Sequence, residues 1–541
     1  MKSIINKSFD VIVIGSGMAG CHAAYPLVKK GLKVGMIDAG DFRESFNEDW
    51  LNWDFEQIRR KIRQQHQLFL GQNLDNLKFD VFHGSYSKTR THGSRAFVTE
   101  WAEKFLPIKT NSLRVIQSLA RGGFGNVWTG ACDILDSQEL LALGLPSNQM
   151  RTHYQIVIDR IGVSGRKPGY KLQPPVNLDL LSKKLLKKYQ TKKSDFEKLG
   201  ISLSKTLLAL LTKEKSGRKP TSYRDMDFWD DFDGTMYRPE FTLKELEQEG
   251  NFSYISHKLV IRLAIDSKGV RVFCMDLPKL NKEYVFRSKY IIVAAGALNT
   301  TKILLKSFNL YDKSVPFLSK THWLTAFIKP NAISLKPESK RISLSQLTLI
   351  DQLSYQGFKQ SYSQLVTYKS LLTYPMARYI PLPLPEAMTL FSLISPGLII
   401  IDTRFPELPS DKKYSRLKKA KNKRGDFMEI SYQNSEEELK HWHASTQRVK
   451  KAMGNLGLIA LKTLYPPSGD ASHYAGGVPI VSSNEKTNYP LYTNSNGQLN
   501  LSERVYVADG ALWKALPAKP PGLTLMANAN RIGTNIANLL R

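Results

Sequence analysis

Gly15, Gly17 and Gly20, with Asp38 following at the end of the next apolar run, are the residues whose types and spacing first point to chemistry. Three glycines in the order G-x-G-x-x-G suit a chain that turns sharply from a strand into a helix while passing close to a pyrophosphate. Gly15 permits the turn, Gly17 removes a Cβ from the approach, and Gly20 lets the helix lie close on the sheet. Phosphate charge would then face the free N–H groups and positive dipole end of a helix starting near Met18. Asp38 is placed to accept hydrogen bonds from ribose hydroxyls, which argues against a 2′-phosphate cofactor.

These residues need particular elements around them. Phe9 to Ile14 is an apolar run of strand length, and Lys33 to Ile37 is a second strand leading to Asp38. A second glycine-dense block, R-G-G-F-G-N-V-W-T-G over 121–130, asks for backbone passing close to something flat or charged, with Val127 and Trp128 better suited to burial than to a loop. Tyr254 to Met275 alternates as a β-hairpin turning at 267–269. Tyr290 to Ala295 is another continuous apolar strand, and Gly296 leads from it into a helix over 300–306, the crossover that a doubly wound sheet requires. Near the end, D-A-S-H-Y-A-G-G over 470–477 precedes a strand over 505–508, Asp509-Gly510 and a last helix from about Leu523 to Leu540.

Between these blocks the pattern is less regular. The stretch from Asp41 to Leu106 is mixed and aromatic, with a polar loop expected from His83 to Arg95. Residues 178–219 carry Leu and Lys interleaved and read as amphipathic helices with a basic face, both around Leu185 and over 202–215. Residues 318–433 alternate irregularly with many prolines, as in a separate antiparallel sheet. Eight of the thirteen residues over 412–424 are basic, which reads as a surface loop.

At 541 residues the chain is long for one core, so two domains are expected, interleaved rather than sequential. Seventy-seven Lys and Arg against forty-eight Asp and Glu leave a net charge of +29, which favours acidic partners or simply a solvated basic surface. No recognition motif accompanies the basic runs, so nucleic acid is not among the expected partners. Cys21, Cys132 and Cys274 are scattered, suggesting neither a zinc site nor a disulfide framework and fitting a reducing compartment. The N-terminus runs directly into the first strand rather than forming a signal peptide. The longest apolar stretch, 387–401, is too short to span a bilayer and contains Pro396.

Taken together, four blocks resemble the glucose-methanol-choline (GMC) oxidoreductases: the N-terminal fingerprint, R-G-G-F-G-N-V-W-T-G, I-I-V-A-A-G-A-L-N-T-T-K-I-L-L-K-S, and H-Y-A-G-G through V-Y-V-A-D-G to the last helix. The resemblance implies an α/β fold: a Rossmann-like FAD-binding domain over 1–134, 254–317 and 466–541, interleaved with a substrate domain on an antiparallel sheet over 135–253 and 318–465. It places FAD on Gly15, Gly17, Met18, Ala19, Gly20, Asp38 and Ala39, and on Gly122, Gly123, Asn126, Val127, Trp128 and Thr129 of the second block. Val260, Ala295, Gly296, Asp509, Gly510, Leu523 and Thr524 complete the set. His473 falls on the family's base toward a substrate hydroxyl. Two departures stand out. Where the family has a second His or Asn this chain has Pro520 or Lys519, and Val127 stands where some relatives bind flavin covalently, so FAD is expected to be non-covalent.

The activity so implied is an FAD-dependent alcohol dehydrogenase or oxidase acting on a sugar, sterol-like or other alcohol, passing electrons to oxygen, a quinone or a redox protein. The alternative is an FAD-bound lyase, isomerase or non-catalytic partner, which the missing polar group at Pro520 favours. A cytoplasmic enzyme is expected, with peripheral contact to anionic membrane through the Leu/Lys runs as an extension of that reading.

Overall fold

The computed structural model describes residues 2–40, 93–99, 101–225, 234–335, 340–367, 380–420, 425–482 and 484–540, together with 53, 57–58, 61–63, 338 and 377. Strand β1 (Lys2–Ile14) turns into helix α1 (Met18–Lys29) and returns as β2 (Val34–Ile37). The next strand of this sheet, β3 (Phe252–Ile255), lies far along the chain and is followed by a hairpin of β4 (Lys258–Asp266) and β5 (Gly269–Asp276). Strand β6 (Glu283–Val293) then leads into helix α2 (Ala297–Ser307).

The chain then builds a second sheet from β7 (His322–Ile328), β8 (Leu347–Tyr355), β9 (Phe358–Thr367), β10 (Leu398–Arg404) and β11 (Ile459–Leu464). It returns to the first sheet with β12 (Ser502–Val507) and ends in helix α3 (Gly522–Leu539).

In the first sheet the parallel order is β12-β6-β1-β2-β3, with the β4–β5 hairpin added antiparallel to the N-terminal half of β6. Val11 to Ile14 are all buried because this parallel sheet is covered on both faces, which is why the run is apolar without alternation. The chain diverges in opposite directions after β1 and after β6, its neighbour, with Ala294 N donating to Ile14 O (2.9 Å) where they part. A crevice at the carboxyl ends of the strands opens there, the usual ligand position in such sheets.

The second sheet is antiparallel throughout, in the order β11-β7-β10-β9-β8 with Ile201–Lys205 on the far edge. One face packs Phe327, Leu349, Ile399 and Ile401 against Leu185, Val449 and Met453 of two covering helices. Alternation along β10 sends Asp402 and Arg404 to the other face, toward the first sheet.

Two expectations from the sequence are corrected here. Residues 202–215 are not an amphipathic helix: Ile201–Lys205 is a strand with Ile201 and Leu203 buried in period two, and Leu207, Leu208, Leu210 and Leu211 are all buried. The stretch over 412–424 is not simply a surface loop. Lys413–Lys418 is a strand, and Lys413 is fully buried between Glu407 (2.8 Å) and Glu438 (2.5 Å), while 421–424 lie outside the described residues. The other basic run is helical as expected, over Leu180–Thr191, capped by Asp179 accepting from Ser182 N (2.7 Å), with Leu185 inward and Lys183, Lys184, Lys187 and Lys188 exposed. Most of the loop expected over 83–95 lies outside the described residues, and Gly93–Val98 is a 3₁₀ turn. Among the described residues no helix is long and apolar enough to cross a membrane. The apolar stretch over 387–401 falls on most of the helix Leu384–Ile394, the 3₁₀ turn Ser395–Gly397 and the first part of β10.

Candidate active site

The crevice between β1 and β6 continues into a cavity of about 670 Å³ that reaches the antiparallel sheet. Its first wall is the turn after β1. A Cβ built on Gly15, which has φ +98°, would stand 2.5 Å from Ala294 O, so the two diverging segments are in contact only because that residue has no side chain. Gly20 allows the same closeness between α1 and the turn, since a Cβ there would be 2.9 Å from the carbonyl carbon of Gly15 and nearer still to its oxygen. Gly17 differs from both: nothing lies within 4 Å of a Cβ at that position, and it lines the open cavity. Together with Met18 and Ala19 it presents the N-terminus of α1 to that space, where free N–H groups and the dipole favour an anion.

Asp38, Ala39 and Val260 line the end of the cavity beyond β2. The Asp38 carboxylate accepts from Ser16 N (2.6 Å) and Gly40 N (2.8 Å), which fixes its orientation while leaving lone pairs toward the cavity side. Burial pushes its carboxyl upward, and those N–H groups oppose that shift. On the opposite side Ala295 and Gly296 meet Asp509 and Gly510. Asp509 accepts from Gly296 N (2.8 Å), Thr300 Oγ1 (2.5 Å) and Ala511 N (2.9 Å), and burial pushes it up to about 6 despite them.

The second glycine-dense block supplies Gly123, Val127, Trp128 and Thr129 to the cavity wall. Trp128 is anchored by donating Nε1–H to Tyr237 O (2.6 Å). Five of the residues expected at the cofactor sit behind this wall rather than on it. Gly20 packs the helix, and Gly122 donates its N–H to Ser16 Oγ (2.9 Å). Asn126 donates to Arg121 O (2.7 Å) and Gly123 O (3.1 Å), bracing the loop. Leu523 and Thr524 are buried at the start of α3, where Thr524 Oγ1 meets Tyr154 OH (2.6 Å), while their neighbours Gly522 and Leu525 line the space.

At the far end the cavity reaches His473, half-buried, in the loop that precedes the short strand Tyr474–Ala475. His473 O accepts from Lys320 N (3.0 Å), so the antiparallel region fixes the loop's position. Trp513, Leu516 and Pro520 close this end. Of the two residues considered for the second polar position, Pro520 is on the wall. Lys519 turns away, buried, to Glu139 Oε2 (2.5 Å) and Ile134 O (3.3 Å).

Sequence reasoning missed Arg404, whose guanidinium comes off the end of β10 into this cavity, and Lys302 of α2, pushed down to about 8 by burial and then by the like charge of Lys306. Arg404 lies in no motif and only the register of β10 brings it here, whereas Lys302 lies inside the I-I-V-A-A-G-A-L-N-T-T-K-I-L-L-K-S block, of which only Ala295 and Gly296 are expected at the cofactor.

Residues 10–143 match the family model described as an FAD binding domain. The chain carries an FAD-binding domain. The matched segment includes the end of β1, α1, β2, Asp38 and the second glycine block, so FAD is the dinucleotide that the open space at Gly17 and the α1 N-terminus fit. Over 97% of this chain and 99% of the other, the structure is similar to pyridoxine 4-oxidase from Mesorbium loti, with a TM-score of 0.58 and 12% identity, a likeness of fold. Both findings accord with the resemblance to GMC oxidoreductases, an FAD domain with a substrate domain on an antiparallel sheet. No curated relative matches the chain at the sequence level.

Proposed function

We propose that the chain is an FAD-dependent oxidoreductase of the GMC type that oxidises a CH–OH group, with His473 as the base. The observation that carries this reading is the run of one cavity from the FAD fingerprint at Gly17 to His473, so that a bound substrate and the cofactor would share a single space. FAD, when bound, would supply the acceptor for the hydride, which carries both electrons of the oxidation. The residues of the chain do the rest. The α1 N-terminus, Asp38 and Asp509 hold the cofactor, and the apolar wall of Trp513, Leu516 and Pro520 excludes water from the reacting end. His473 takes the hydroxyl proton, for which imidazole has a suitable affinity near neutral pH.

The cofactor would be non-covalent, because Val127 offers no atom for a bond. The cofactor domain would comprise 1–134, 254–317 and 466–541. Of the substrate segments, 135–253 and 318–465, the helices Ser147–Ile161 and Pro239–Glu247 and the strand β3 pack on the cofactor side. A sugar, sterol-like or other alcohol fits the reading, and the electrons would pass to oxygen, a quinone or a redox protein. The second reading, an FAD protein that does not oxidise alcohols, is favoured by one observation: the cavity wall has proline at 520, which offers no polar side chain beside His473.

The test is anaerobic addition of a panel of alcohols, including sugars, sterols and pyridoxine, to the holoprotein while flavin absorbance is followed. Bleaching by at least one alcohol is expected. A flavin that dithionite bleaches and no alcohol does would favour the second reading.

A further inference from the structure

Pro520 leaves the reacting end of the cavity without the neutral donor that alcohol oxidation would use beside its base, and the structure puts a cation there instead. Arg404 is 3% exposed, and that surface belongs to the cavity that also holds His473 and Pro520. Its guanidinium is fixed from behind, Nε (3.2 Å) and Nη2 (2.8 Å) both donating to Asp402 Oδ2. The other oxygen of Asp402 meets His322 Nδ1 at 2.9 Å, and His322 Nε2 meets Asp470 Oδ2 at 3.3 Å. Asp470 belongs to the loop that carries His473. One chain of contacts therefore ties the position of Arg404 to the position of the base.

The charge of the cluster decides what Arg404 is for. Burial opposes charge on the His322 ring, but the two carboxylates outweigh it and raise the proton affinity above the usual histidine value. Arg404 and His322 thus face Asp402 and Asp470, two basic groups against two carboxylates. Lys320 lies beside this group. Burial first, and then the charge of Arg404, depress its amine far below the usual lysine range, while its Nζ donates to the carbonyls of Ala518 (3.3 Å) and Lys519 (2.7 Å) next to Pro520. A guanidinium paired with a carboxylate in this way does not by itself call for an anionic substrate. It does present a rigid, cationic hydrogen-bond donor to an oxygen that becomes negative during reaction, which is where preorganised charge has most effect.

We propose that Arg404 is a catalytic residue, donating a hydrogen bond to the substrate's alcohol oxygen as His473 removes its proton, in the role that Pro520 cannot fill. The step is a proton transfer: the O–H bond breaks, the proton goes to the His473 imidazole, and the electron pair left on oxygen faces the guanidinium. The proposal rests on the alcohol-oxidising reading above, and it also predicts binding that needs no turnover. A carboxylate places anionic oxygen where the alkoxide would develop, so benzoate serves as the probe.

The experiment titrates holoprotein with benzoate and follows the flavin spectrum, for the unchanged chain and for Arg404→Gln and Arg404→Lys, with FAD content measured in each. Benzoate is expected to perturb the flavin of the unchanged chain, with Kd raised at least tenfold in Arg404→Gln and less in Arg404→Lys. For any alcohol that bleaches the flavin, Arg404→Gln should lower the reduction rate by about 10²- to 10³-fold, the usual cost of one such donor. That loss should appear in kcat and in kcat/KM alike, as for an interaction made in the transition state. No spectral response in the unchanged chain, or equal benzoate affinity in the variants, would overturn the proposal. If Arg404→Gln does not retain FAD, Arg404→Lys decides, and benzoate affinity equal to that of the unchanged chain overturns it. Alcohols that bleach the unchanged chain and Arg404→Gln at equal rates would remove Arg404 while leaving alcohol oxidation standing. Failure of every alcohol to bleach would instead remove the oxidation reading and, with it, the catalytic role.

Discussion

Gly17→Val and Gly20→Ala, three residues apart in one fingerprint, should fail in opposite ways. At Gly17 a new side chain meets nothing of the protein within 4 Å, and φ of −64° suits any residue, so the apo chain tolerates it. The cost to folding is the difference between glycine and valine at a helix N-cap, about 1 kcal/mol or less. The isopropyl group, however, enters the cavity where the helix N-terminus would receive the pyrophosphate, and FAD should be lost. At Gly20 a Cβ stands 2.9 Å from the Gly15 carbonyl carbon, whereas carbon atoms in contact prefer about 3.5–4.0 Å. Helix and turn must therefore separate by about 0.6 Å or more. The obstacle is backbone rather than the end of a flexible side chain, so the overpacking cost is near the upper part of its usual range, about 3 kcal/mol. Alanine's helix propensity returns about 1 kcal/mol, leaving a net loss of about 2 kcal/mol. The assay is FAD content after gel filtration, with the melting temperature of the apo forms. Gly17→Val should be colourless with nearly unchanged apo stability, and Gly20→Ala should melt lower by about 2 °C, at about 1 °C per kcal/mol for a chain of this length. A Gly17→Val protein that keeps one FAD per chain would refute the placement of the pyrophosphate, and an apo Gly20→Ala protein that melts with the unchanged chain would refute the packing argument.

His473→Ala should lower the rate of flavin reduction by any accepted alcohol by about 10²-fold or more with FAD still bound, measured by anaerobic rapid mixing; full retention of rate would exclude it as the base. Lys519→Ala leaves Glu139 buried without its cation and should destabilise the chain by about 3–5 kcal/mol in denaturant unfolding, whereas Lys519→Met with Glu139→Gln should restore most of that loss. His322 has its proton affinity raised by Asp402 and Asp470 against the effect of burial, so its stabilising contribution is complete below the ordinary histidine value and is lost as pH rises through the raised one. Melting temperature against pH should therefore fall on that alkaline side, and His322→Gln should flatten the fall; an unchanged slope would show that the ring is not charged in the folded chain.

The parts of this protein that were legible in the sequence are those where local rules and tertiary structure agree. Phe9 to Ile14 reads as an apolar run of strand length, the glycine spacing after it fits a turn into a helix, and Asp38 follows the next strand. Residues 202–215 were misleading because Leu and Lys in an irregular order satisfy a helical and a strand period almost equally; what decides is the edge of β8, which offers Ile201–Lys205 a ladder of hydrogen bonds that no local signal announces. The basic run over 412–424 reads as surface because lysine is almost always exposed, and the burial of Lys413 within it depends on Glu407 and Glu438, the second of which comes from a distant helix. Arg404 shows the same limit at the reacting end. In I-D-T-R-F nothing separates a surface arginine from a buried one until strand register sets His322 opposite it and brings Asp470 of the His473 loop within reach of that histidine. A motif search finds the residues that meet the part of the ligand that does not vary, the dinucleotide. Arg404, proposed to meet the variable part, is held by pairs across a sheet, so that its identity is constrained by partners far away in the chain rather than by its neighbours. For that reason the loss of a polar side chain at Pro520 need not mean loss of chemistry: a donor can be supplied from the facing sheet, with its charge balanced by residues that come with it.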